Sequence, residues 1–181
     1  MKINIYLKIG LIIIIAGFIL HKILGFGLSF NVSDSMPLGV YFSSKNAEKI
    51  SNGDIIGFCV SDITYDLFFA RGYINSKNGA CNNDNPAFIK KVIAKQGDLV
   101  EIKNNKIYVN SIEIPNSTIF DTDKQGRELN HLQNGYSHVM KSNEIFSFGD
   151  NNIRSFDSRY LGLIDKDKIL FKAKMLYRVG E

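Results

Sequence analysis

Motifs that carry common chemistries are missing from this chain. It contains no Gly-x-Ser-x-Gly elbow, no Ser-x-x-Lys, no phosphate-binding loop, no His-Glu-x-x-His and no Cys-x-x-Cys, so the standard nucleophile, phosphate and zinc sites are absent. The three histidines, His21, His131 and His138, stand apart from any serine or cysteine in a suggestive pattern. They read as an interface residue at 21 and loop-surface residues at 131 and 138. Asp121/Asp123 and Asp165/Asp167 read as solvated turns in Asn-rich loops, so no metal and no cofactor is expected. Three prolines, no tryptophan and 45% hydrophobic residues among 181 exclude intrinsic disorder and fit one domain. That domain would hold ~150 residues, with a short appendage.

Acidic residues are missing before residue 31, where Lys2, Lys8 and Lys22 stand unopposed. The net charge of +4 belongs to this stretch, because removing three lysines from 22 basic residues leaves 19 against 18 acidic ones. The remainder is close to neutral and offers no electrostatic footprint for a phosphate backbone, so no nucleic-acid partner is expected. Residues 9–20 form an uncharged apolar run. As a helix it spans ~18 Å, short of the ~30 Å of a hydrocarbon core. Extending it to Ile5–Leu28 supplies the length if Lys8 and Lys22 snorkel to the interfaces. Residues 1–30 are therefore expected to be a membrane anchor, a single transmembrane helix in contact with the lipid bilayer. The rival is a cleaved signal peptide, with Gly25-Phe26-Gly27 or Gly27-Leu28-Ser29 at the cleavage site. Lys2, Lys8 and the terminal amine against Lys22 point the N-terminus to the cytoplasm and the domain outward.

Cys59 and Cys81 fall in the exported part. An even count in an oxidising compartment allows one disulfide, closing a loop of ~20 residues; the alternative is two unrelated thiols. Past residue 38 the pattern is that of strands, at Val40–Phe42, Ile55–Val60, Phe88–Ala94, Leu99–Ile102, Lys106–Val109, Glu144–Phe148 and Ile169–Val179. Gly, Asn and Asp separate them, which reads as a mostly β, antiparallel domain over residues 31–181. Asn104-Asn105 is a hairpin turn by its tolerance of positive φ. One short helix is expected at Asp62–Ala70, capped by Ser61 or Asp62.

Four segments stand in a telling order: Ser33-Asp34-Ser35-Met36-Pro37; Gly53-Asp54-Ile55-Ile56; Phe88–Ile93 leading to Gly97-Asp98-Leu99-Val100; and Gly149-Asp150-Asn151 through Ser155-Phe156-Asp157-Ser158-Arg159. Together they resemble the type I signal peptidase family. Ser35–Tyr41, Arg71-Gly72-Tyr73, Cys81, Gly126-Arg127 and Ser155–Gly162 bring the likeness closer to its TraF branch, the signal-peptidase-like proteases of conjugative transfer systems. Two departures from bacterial signal peptidases, Asn152 in an arginine place and Met36 adjacent to Pro37, fit that branch. The resemblance implies a signal-peptidase-like antiparallel β-domain with one short helix after the transmembrane helix. It also implies a single-pass protein of the bacterial inner membrane with its catalytic domain on the periplasmic side.

The resemblance implies Ser35 as nucleophile and Lys90 as base. A serine hydroxyl needs a base, and without a placed histidine that base is a lysine of depressed pKa. Moving an ammonium from ~10.4 to ~8 costs about 3 kcal/mol, which burial among apolar groups can supply. Lys90 has that setting, between Phe88-Ile89 and Val92-Ile93, and on a strand it points opposite to Lys91. The resemblance further implies Ser33 as a side-chain donor to the oxyanion hole beside the Ser35 N–H. It makes Met36 and Pro37 substrate-pocket residues. Ser155 would orient the lysine amine, and Asp157 and Arg159 would brace the site from one face of a strand.

The expected function is a membrane-anchored serine endopeptidase that cuts an exported precursor after a small residue. The expected partner is a propilin or another conjugation component with a signal-type segment, since the branch processes propilins and some members join the new ends into a cyclic product. Its rivals are a general leader peptidase for secreted preproteins, a self-cleaving repressor-like protease and a catalytically silent assembly factor.

Overall fold

A computed structural model describes residues 5–24, 26–31, 33–45, 49–75 and 79–179, with side chains in the first helix described only to Gly17. The chain opens with helix α1, Ile5–Leu24. Among the described residues no helix is long and apolar enough to cross a membrane. The side chains of His21 and Lys22 lie outside the described residues, as do Lys2 and Gly25.

Strand pairing begins earlier than the expected boundary of anchor and domain. Strand β1, Phe26–Asn31, pairs antiparallel with β2, Gly39–Ser44, from Phe26↔Ser44 to Asn31↔Gly39. Glycines at 25 and 27 weaken helix by about 1 kcal/mol each relative to alanine, and the alternation Phe26, Leu28, Phe30 favours a strand. The apolar segment expected to run to Leu28 therefore divides into a helix and a sheet edge.

The remaining strands are β3 (Ile55–Phe58), β4 (Phe88–Ala94), β5 (Leu99–Lys103), β6 (Lys106–Val109), β7 (Ile112–Glu113), β8 (Ser137–Val139), β9 (Glu144–Phe148), β10 (Ile164–Asp165) and β11 (Ile169–Arg178). They form a seven-stranded sheet in the order β1-β2-β11-β3-β4-β9-β10 and a four-stranded sheet in the order β7-β6-β5-β8. Among the described residues every strand pairing is antiparallel. The β5–β6 hairpin turns on Asn104 and Asn105, at φ of 51° and 56°, the left-handed values a two-residue hairpin requires.

Alternation places the core. Val100, Ile102, Ile107 and Val109 of the small sheet pack with Met140, Phe146 and Phe148. Ile56, Phe58, Val92, Ile145 and Ile164 form a second cluster. Helix α2, Asp62–Ala70, starts where Ser61 Oγ accepts the Thr64 N–H, and it buries Tyr65 and Phe68. A further helical turn, α3, spans Ser158–Leu161. The strand expected through Asp157 and Arg159 is absent because Asp157 caps this turn by accepting the Arg159 N–H.

Cys59 and Cys81 are bonded, with Cα atoms 5.7 Å apart and 22 residues of sequence separation. The bridge ties the end of β3 to the segment leading into β4. Cys59→Ser with Cys81→Ser should lower the unfolding free energy by about 3 kcal/mol in a urea titration, the loop-closure entropy of a ring of this size. An unchanged midpoint would show that the bridge constrains nothing in the unfolded chain.

Candidate active site

Three pieces of backbone converge beside β4: the loop after β1, β4 itself, and the segment between β9 and α3. The sheet order makes this possible, since β9 is hydrogen-bonded to β4, with Lys91↔Phe148 and Val92↔Ser147 in register. Continuing that register by one residue sets Gly149 beside Lys90.

The loop carrying Ser33 and Ser35 is held by side-chain amides. Asn31, 6% exposed, directs Nδ2 at the carbonyls of Ser33 (2.9 Å), Met36 (2.9 Å) and Pro37 (3.1 Å). Its Oδ1 accepts the Ser33 N–H (3.2 Å) and the Ser33 hydroxyl (2.8 Å). Asn151 holds the other side, with its N–H on the Ser35 carbonyl at 3.4 Å and its Nδ2 on the Asp34 carbonyl at 2.9 Å. The Tyr41 hydroxyl donates to the Pro37 carbonyl at 2.7 Å.

Alternation along β4 separates the two lysines. Lys90 is buried at 3% exposure, and its Nζ donates to the Ile89 carbonyl at 3.1 Å and lies 5.4 Å from the centre of the Phe88 ring. Lys91 faces outward and pairs with Asp150 at 3.0 Å. Burial of the Lys90 ammonium away from water pulls its pKa down to about 8; Asp157 opposes the shift and Arg159 adds to it. Lys90, Ser33 and Ser35 all line one cleft of about 730 Å³.

Behind the cleft, Asp157 and Arg159 are fully buried and bonded to each other, Nε to Oδ1 and Nη2 to Oδ2, both at 2.9 Å. The remaining guanidinium protons go to the carbonyls of Thr118 (2.7 Å), Ile153 (3.0 Å) and Ser155 (3.0 Å). Asp157 also accepts the Gly149 N–H at 2.9 Å and the Arg159 N–H at 3.2 Å. All five guanidinium donors are thus used, the condition under which a buried ion pair is tolerated. Gly149 must be glycine, because a Cβ there would overlap the Ser155 side chain and come within 2.9 Å of the Ser35 carbonyl oxygen. Ser155, 2% exposed, is the one buried side chain among the described residues whose polar atom lacks a hydrogen-bond partner.

The far wall is aromatic. Phe156 lies 4.5 Å from both Phe68 and Tyr73, centroid to centroid, and Tyr73 donates to Asp123 at 2.5 Å.

A profile of the family described as signal peptidase, peptidase S26, matches residues 2–178. The chain belongs to the S26 signal peptidase family. Among relatives, a plasmid transfer protein TraF from Escherichia coli is 30% identical over 79% of this chain and 78% of its own length. Signal peptidase I S from Bacillus subtilis is 32% identical over 60% of this chain and 59% of its own. A crystal structure of signal peptidase I from Enterococcus faecalis aligns with 71% of this chain and 97% of that one, at TM-score 0.36 and 19% identity.

The other residues singled out from sequence fall in varied places. Met36 is buried at 2% exposure, and neither it nor Pro37 lines the cleft. Asp123 is a buried acceptor for Tyr73 and Arg127, not a solvated turn residue. His131 is paired with Asp121 at 3.0 Å with its side chain 9% exposed, and His138 with Glu144 at 2.6 Å, so neither is a free loop-surface residue. Neither lines the cleft. Asn31 went unread, although Asn two residues before the serine pair carries an Asx-turn signal.

Two outcomes follow for stability. Between pH 8 and 10.5 an unfolded Lys90 holds a proton that the folded one has released, so stability rises with pH across that window. Lys90→Met should remove this rise and stabilise the protein near pH 7 by about 3 kcal/mol; an equal rise in the variant would place the titration elsewhere. Arg159→Leu leaves the Asp157 carboxylate buried without its partner and should cost about 3–5 kcal/mol in a denaturant titration. A cost under about 1 kcal/mol would show the pair to be dispensable.

Proposed function

We propose that the protein is a membrane-anchored serine endopeptidase in which Ser35 attacks and Lys90 takes its proton. The observation that carries this reading is a buried lysine, its pKa lowered to about 8, lining the same cleft as Ser35. Family membership supports the peptidase class.

The proposed chemistry follows from the groups present. A neutral amine has two N–H donors and one lone pair. One donor is on the Ile89 carbonyl, the partnerless Ser155 hydroxyl suits the other, and the lone pair then faces Ser35. The bond in which the Ser35 hydroxyl donates to Lys90 Nζ forms on substrate binding, as is common for catalytic hydrogen bonds that are loose in the free enzyme. Ser35 Oγ adds to the scissile carbonyl as Lys90 becomes the ammonium. The Ser35 N–H and the Ser33 hydroxyl receive the oxyanion, a contribution of ~3 kcal/mol for each such donor. The ammonium then protonates the departing amine, and water repeats the sequence to release the acyl group. Ser33 must give up its bond to Asn31 to serve in this way.

The substrate proposed is an exported precursor cut after a small residue, a pilin or another component of a conjugation apparatus; likeness to plasmid transfer proteins supports that class. A membrane location is supported by exposed apolar side chains of α1, among them Leu11, Ile12 and Ile14, and by others on one exposed face of the adjoining sheet. Leu28 and Phe30 of β1 are 64% and 72% exposed, and Tyr177 of β11 is 63% exposed. Phe30 and Tyr177 both pair with Val40 across β2. The six-residue strand β1, ~20 Å long, lies between the helix and the loop of Ser35, which holds the proposed site near the interface.

Purified protein incubated with candidate pilin precursors and read by mass should give one cleavage. Ser35→Ala and Lys90→Met should each abolish it, while Lys91→Ala keeps most of it. kcat/KM should fall about tenfold per pH unit below 8, where Lys90 is charged. Equal loss in the two lysine variants, or activity still climbing steeply at pH 10, would overturn the assignment.

A further inference from the structure

We infer that Asn31 is a positioning residue for the reaction, acting on Ser35 through the backbone on both sides of it. This inference rests on Ser35 being the nucleophile.

Asn31 is the last residue of β1, paired with Gly39 at the start of β2, so its Cα is fixed by the sheet. From that anchor point one nearly buried amide reaches Ser33 on one side of Ser35 and Met36 and Pro37 on the other. Its orientation is dictated by its partners. The oxygen meets two donors, both of Ser33, and the NH₂ meets three carbonyls; a flipped amide would set oxygen against those carbonyls. With Ser33, Met36 and Pro37 held, the dihedrals of Asp34 and Ser35 have little freedom, and the Ser35 N–H and Oγ share one setting. Asn151 holds the carbonyls of Asp34 and Ser35 from the opposite side but makes no bond to Met36 or Pro37. Asn31 also holds the Ser33 hydroxyl proton on its own Oδ1 until an oxyanion competes for it.

Asn31 lines the cleft without being titratable, and its side chain bonds neither Lys90 nor the Asp157–Arg159 pair. Its removal should therefore change geometry at Ser35 and leave the lysine titration alone. That separates a positioning role from a general structural one.

The test uses the full-length protein and the precursor that the wild type cleaves. Asn31→Ala should lower kcat about 10- to 100-fold, the penalty of a misplaced nucleophile. KM should stay within about twofold and the acidic limb of the pH profile should stay where it is. Asn31→Asp has the same shape but sets a carboxylate against three carbonyls, and it should lose at least as much. Amide hydrogen exchange should accelerate in the peptide spanning residues 31–40 and nowhere else, a readout independent of any substrate. Unchanged kcat, a shifted pH limb, exchange rising throughout the domain, or failure of both variants to fold would each overturn the inference. If Ser35→Ala still cleaves, the nucleophile assignment fails first; if Ser35→Ala is dead and Asn31→Ala is normal, only the role of Asn31 fails.

Discussion

The buried ion pair of Asp157 and Arg159 is the interaction on which this site depends. It reaches three of its parts: Gly149 through the N–H that Asp157 accepts, Ser155 through its carbonyl, and Lys90 through charge. A carboxylate alone behind Lys90 would keep the amine protonated. A guanidinium alone would leave a buried cation beside another. Paired, their effects on Lys90 oppose each other, and desolvation decides the outcome. The pair is tolerable in a dry interior because all five guanidinium donors have acceptors, three of them backbone carbonyls that would otherwise need partners of their own.

Around that pair the topology brings distant segments together. The first loop of the domain and the segment after β9 are more than a hundred residues apart, yet Asn151 bonds the carbonyls of Asp34 and Ser35. The glycine at 149 is the hinge of this meeting, since only a missing Cβ lets Ser155 and Ser35 approach from two sides. In the free protein Ser33 donates to Asn31 and Lys90 to Ile89. In the proposed mechanism a bound peptide draws the Ser33 hydroxyl from Asn31 to the oxyanion, while the Lys90 bond to Ile89 stays and holds the amine in place.

Much of this was legible in the sequence for reasons of period. Alternation at Phe88–Ala94 sends Lys90 inward and Lys91 outward, and the structure has them so. Asn104-Asn105 and Ser61 announce their turn and cap by local chemistry, which needs no tertiary information. Asp157 and Arg159 were legible as a pair but not as a helix cap, because a four-residue turn is too short to show a period. The division of the N-terminal apolar segment at Leu24 was masked by composition: Phe26, Leu28 and Phe30 are as apolar as the helix before them, and the short alternation between glycines becomes decisive only with pairing to β2. Burial of Asp123 depends on Tyr73, fifty residues away, and no local pattern carries that. Asn31 had a local signal, and its reach to Met36 and Pro37 came from the fold.

The central claim is that burial lowers the Lys90 pKa to about 8, so that the neutral amine is populated from about that pH upward. Titrating its side chain by NMR in selectively labelled protein, with Lys91 as the internal comparison, measures this directly. A midpoint near 8 for Lys90 is the expected result. A midpoint near the ~10.4 of a solvated lysine would contradict the account, because the amine would then be protonated whenever the enzyme works.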